Sequence, residues 1–88
     1  MKKIEPSKYG LNKRNKIYKT KNGEVAIVKK RKSRIIMKDG YMLLEIAEKI
    51  KTVDPNTEIQ LITTAPICSK TKAFLEKNGI LTKKVDVI

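Results

Sequence analysis

The 88-residue chain has no histidine and a single cysteine, Cys68. Imidazole-dependent triads and the common zinc sites therefore have no donors, and neither an intramolecular disulfide nor a CxxC pair can form. What the chain has in excess is cationic side chains. There are 21 Lys and Arg against 9 Asp and Glu, a net charge of +12. Lys16, Lys19, Lys21, Lys29, Lys30, Arg31, Lys32, Arg34 and Lys38 crowd one stretch. Lysine outnumbers arginine, which suits contacts to phosphates better than bidentate reading of bases. Tyr9 and Tyr18 lie among these cations and are placed to stack on bases, or, for Tyr18, to pack at a sheet edge.

A second group of chemical interest is Thr63-Thr64-Ala65-Pro66-Ile67-Cys68-Ser69-Lys70-Thr71. It falls between a strand pattern and a helix pattern, where unpaired N–H groups and the helix dipole favour an anion. Thr64, Ser69 and Lys70 would add donors there. The stretch lacks the glycines of a phosphate-cradling loop, and an ordinary capped strand-to-helix turn is the plainer reading of it. Cys68 at such a helix start would have a lowered thiol pKa but could form only mixed disulfides. A small buried apolar residue is the plainer reading.

The cations are unevenly distributed. Residues 1–38 carry 14 basic and 2 acidic side chains, whereas residues 39–88 carry 7 of each. A thermophile-like lysine bias would load both halves. A one-sided field of this kind attracts polyanions. Residues 1–14, with Pro6 and Gly10 and no periodic apolar pattern, read as a flexible basic arm, and residues 15–88 as a single α/β domain.

Within that domain, Asn22-Gly23 between KIYKTK and EVAIVKK predicts a hairpin with a type I′ turn. Ile35-Ile36-Met37 predicts a third strand, ended by Asp39-Gly40. From Tyr41 the period becomes helical: Leu43, Ile46, Ala47, Ile50 and Val53 share a face, with Asp39 as cap and Asp54-Pro55-Asn56 as stop. Residues 58–63 predict a strand. A second helix opens at Pro66 or Ser69 and buries Ile67, Phe74 and Leu75, with Asn78-Gly79 closing it. The tail alternates around Val85 and Val87 as a final strand. The fold class expected is a small mixed α/β (α+β) sheet of order β-β-β-α-β-α-β with two helices, on one side or split between faces. A sheet face is left for solvent, a ligand or a second subunit.

Two family resemblances follow from particular residues. EIQLITTAPICSKTKAFLEKNGILTKKVDV, residues 58–87, resembles the opening strand-helix-strand of glutaredoxin and thioredoxin-like proteins. In that family the first cysteine of CPxC is the nucleophile. Ala65 stands at that position and Cys68 at the second, and the preceding ββα order implies a circular permutation. Three strands followed by αβ also resembles the core of restriction-endonuclease-like nucleases. Their Mg²⁺ site uses an Asp on one strand and Glu-x-Lys on the next. Ala26-Ile27-Val28-Lys29-Lys30 offers the lysines without the acid, leaving Glu24 and Asp39 as the nearby carboxylates.

These readings lead to the expectation of a small basic protein that binds nucleic acid, RNA or DNA, through phosphates with low sequence specificity. Two alternatives stay open: an interaction module of a larger (ribonucleo)protein complex, and a thiol-dependent redox or anion-binding protein centred on Cys68. No catalytic constellation, cofactor or metal site is expected. No apolar run approaches the roughly 18 residues of a membrane span, so a cytoplasmic protein without a membrane partner is expected. A chain this short would gain core by forming a homodimer.

Overall fold

Alternation along Lys16-Ile17-Tyr18-Lys19 and Val25-Ala26-Ile27-Val28 sends one apolar set to each face of a sheet. In a computed structural model describing all 88 residues, these segments are β2 (Lys16–Lys19) and β3 (Val25–Lys29), paired antiparallel. The rest of the chain forms β1 (Lys2–Ile4), a 3₁₀ turn (Pro6–Tyr9), α1 (Met37–Val53), β4 (Ile59–Thr63), α2 (Ser69–Lys77) and β5 (Ile80–Lys84). The five strands form one sheet in the order β1-β2-β3-β4-β5. β3, β4 and β5 are parallel, each joined to the next by a helix. The order β-β-β-α-β-α-β and the two helices are those expected from the sequence.

Both helices lie on one face of the sheet. Leu43, Ala47 and Ile50 of α1 and Leu75 of α2 share a core with Ile17, Val25, Ile27, Ile59, Leu61 and Ile80. Two crossovers of the same hand, running in the same direction across the sheet, produce this one-sided arrangement. On the opposite face the register aligns Lys3, Tyr18, Ala26, Gln60 and Leu81 in one row, and Lys16, Val28, Ile62 and Lys83 in the next. No helix covers that face. Among hydrophobic side chains, Tyr18 and Val85 pack against its small cluster of Ala26, Val28 and Ile62.

Five local expectations are corrected. Residues 1–14 are built into the fold rather than forming a flexible arm: Lys2–Ile4 pairs with β2, and Tyr9 and Leu11 are buried in the main core. The Tyr9 hydroxyl donates to Asp54 Oδ2 (2.7 Å), tying this segment to the C-terminal end of α1. Ile35 forms only an isolated bridge with Ile67, and Met37 already belongs to α1, so 35–37 is not a strand. Asp39 is therefore inside the first turn, where its carboxylate accepts from the Ile36 N–H (2.9 Å). Gly40 sits where a Cβ would lie 3.1 Å from Thr71 Cγ2, so it permits the helices to approach closely instead of ending a strand. Finally, Gly23 alone takes positive φ (84°), and its N–H bonds the Thr20 carbonyl, which is the longer hairpin loop rather than a type I′ turn. At the other end of the chain, β5 begins at Ile80 and stops at Lys84, before Val85 and Val87.

Candidate nucleic-acid interface

The carboxyl ends of β3, β4 and β5 lie together because these strands are parallel and in register, with Lys29, Thr63 and Lys84 side by side. The N-termini of α1 and α2 open at this same end, directing their positive dipole ends there. Lys16, opposite Val28, also lies there, as do the loop cations Lys30, Lys32 and Arg34 and the first-turn residues Lys38 and Lys70. Lys30, Lys32, Arg34, Lys38 and Lys70 are all exposed, while Lys29 is half-buried. An open cleft of about 530 Å³ is lined by Lys30, Arg31, Lys32, Thr64 and Asp86.

Arg31 does a different job from its neighbours. Its guanidinium donates to both oxygens of Asp39 (3.1 and 2.5 Å) and to the carbonyls of Ser33 and Arg34. The guanidinium beside it holds the Asp39 carboxyl below the usual carboxylate range, against the opposing effect of partial burial. Thr64 is likewise committed: its hydroxyl accepts from the Arg31 N–H (3.1 Å) and donates to the Arg31 carbonyl (3.0 Å). On the far side of the loop, the Ile35 N–H donates to Pro66 O and the Cys68 N–H to Ile35 O. The loop bearing Lys30, Lys32 and Arg34 is therefore fastened on both flanks, and its cations project from a fixed backbone. Arg31 and Thr64, expected as ligand contacts, are instead what fixes it.

The remaining expected contacts separate in space. Lys19 pairs with Val25, and Lys21 lies in the loop beyond, so both are at the amino end of the parallel strands, opposite to the loop cations. Glu24, Asp54 and Glu58 share that end. Tyr18 is half-buried on the helix-free face, where it packs beside Ala26, Val28 and Ile62. Tyr9 is in the core, and burial with the Asp54 hydrogen bond pushes its pKa up to about 12, so it is no stacking platform. Lys83 and Lys84 reach the carboxyl end from a half of the chain that is electrically balanced in sequence; only the parallel register of β5 reveals them.

Of all the Lys and Arg side chains, only Lys8 and Arg31 come within 4.0 Å of a carboxylate. At the carboxyl end the acids are Glu5 at the sheet edge, Asp39, already held by Arg31, and Asp86. Apart from Arg31, the cations there have no carboxylate within 4.0 Å.

Ser69 is the exposed first residue of α2, and Cys68 is its half-buried N-cap. The Thr71 and Lys70 N–H groups beside the sulfur hold the Cys68 thiol below its ordinary value. Ala65, at the place of a thioredoxin-like nucleophile, is fully buried and has no reactive group.

No family model matches the chain, and no curated protein matches it. Among solved structures, the chain is similar to EndoMS in its apo form, with a TM-score of 0.66 and 17% identity. The superposition covers 81% of this chain and 33% of EndoMS, so the chain spans about a third of that protein's length. At this identity the likeness is one of fold.

The Mg²⁺ site implied by the nuclease resemblance does not fit these residues. β2 and β3 contain no carboxylate. Two residues before Lys30 stands Val28, and its cross-strand partner is Lys16. Glu24 is engaged by Thr20 and Gln60, and Asp39 by Arg31. No three Asp, Glu, Cys or His side chains converge.

Proposed function

We propose that this chain is a small nucleic-acid-binding protein that contacts phosphates with low sequence specificity and does not itself cut them. The observation that carries this reading is the set of exposed, unpaired cations on the fastened loop, together with Lys16, Lys83 and Lys84, at the end where two helix dipoles add to the positive potential. Anionic ligands of open parallel sheets bind at this end of the strands. The absence of carboxylates on β2 and β3 favours binding without metal-dependent hydrolysis.

A salt titration tests the proposal. If about six phosphates are neutralised, log K against log salt falls with a slope of about −5 on duplex and about −4 on a single strand. Binding that is insensitive to salt would refute a phosphate-led interface and favour an apolar protein partner instead.

A further inference from the structure

The helix-free face of the sheet combines features that a phosphate site alone does not need. Its floor, Ala26, Val28 and Ile62, is apolar and no more than 8% exposed, and the hydrophobic side chains packed upon it are Tyr18 and Val85, with no helix above. In the row that runs from Lys3 through Tyr18, Leu81 is 53% exposed on β5. Lys16 and Lys83 end the neighbouring row, separated by three strand spacings, about 14 Å. The carboxylate beside this face, Glu24, is bonded to Thr20 and Gln60. The Tyr18 hydroxyl has no hydrogen-bond partner within the chain, although Tyr9 has one.

Resting on the nucleic-acid reading above, we propose that this face takes a single strand, its bases lying on Tyr18 and Leu81 and its phosphates on Lys16 and Lys83. A paired duplex hides its base faces and would meet this surface with backbone alone, leaving the exposed apolar groups uncompensated. An unpaired strand offers flat apolar bases and a charged backbone, matching both the platforms and the lysines. Base stacking tolerates sequence, which agrees with a lysine-rich surface of low selectivity.

The test is fluorescence anisotropy with a labelled oligothymidine and a duplex of equal length, read for the wild type, Leu81→Ser, and Tyr18→Leu combined with Leu81→Ser. Leu81 is exposed, so its single variant folds; circular dichroism checks the double. The wild type should favour the single strand, and the double variant should lose about tenfold on it with little change on the duplex. Equal losses on both ligands, or none on either, would overturn the single-strand assignment while leaving the phosphate reading standing. Failure of the wild type to bind either ligand would overturn both. A wild-type dimer in sedimentation that Leu81→Ser converts to monomer would show the face occupied by a second copy, and would overturn the assignment too.

Discussion

Arg31 and Tyr9 show how a side chain that reads as a ligand contact can be spent on the fold. Arg31 supplies four hydrogen bonds that hold the loop before α1, and Asp39 receives two of them. Arg31→Leu should cost roughly 2 kcal/mol at neutral pH by leaving Asp39 and two carbonyls short of donors. The folded pKa of Asp39 is depressed, so its contribution is complete above the unfolded value of about 3.9 and is lost as pH falls through the folded value. The gap between the urea midpoints of wild type and Arg31→Leu should therefore narrow as pH falls below about 4, leaving the part due to the two carbonyls. Tyr9 has the opposite sign. Its folded pKa is raised to about 12, so the stability it adds is complete below the unfolded value near 10 and disappears between those two points. An ultraviolet titration should show one tyrosine ionising late, and Tyr9→Phe should remove that late step.

At the scale of elements, the amino-terminal segment is the sharpest case. A mobile arm could be deleted without cost, whereas removing residues 1–14 here takes β1 off the sheet and empties the places of Tyr9 and Leu11. The loss should be roughly 3–6 kcal/mol, from about 1.5–3 for each large side chain, and thermal melting would show it directly. The sequence could not reveal this segment, because Lys2-Lys3-Ile4 has no alternation of its own and becomes a strand only when β2 presents an edge. Where the signal was local, it was legible: the apolar spacing from Leu43 to Ile50 marked α1, Asn78-Gly79 closed α2, and residues 58–63 read as the strand found at 59–63. Where a residue served a distant partner, it misled. Gly40 read as a stop because its contact with Thr71 and Phe74 spans two helices, and Ile35 read as a strand because its bridge to Ile67 is isolated.

Across the whole molecule, the uneven charge of the sequence becomes an uneven surface, but divided differently from the chain order. The hairpin cations separate: Lys16 joins the carboxyl end of the parallel strands, and Lys19 goes to the opposite end among Asp54 and Glu58. Lys83 and Lys84 join from the balanced half. Composition was enough to point to a polyanion, but choosing the surface required the register. No helix is long and apolar enough to cross a membrane.

The division of cations between the two ends gives the most direct test of the account. Two variants with the same change in charge, Lys30→Glu with Lys32→Glu and Lys19→Glu with Lys21→Glu, should be compared by salt titration on one oligonucleotide. The first should lose at least tenfold in affinity and flatten the salt slope by about 2, from about 0.9 per phosphate, while the second loses far less. Equal losses from the two pairs, or a larger loss at the hairpin tip, would contradict an interface built at the carboxyl ends of the strands.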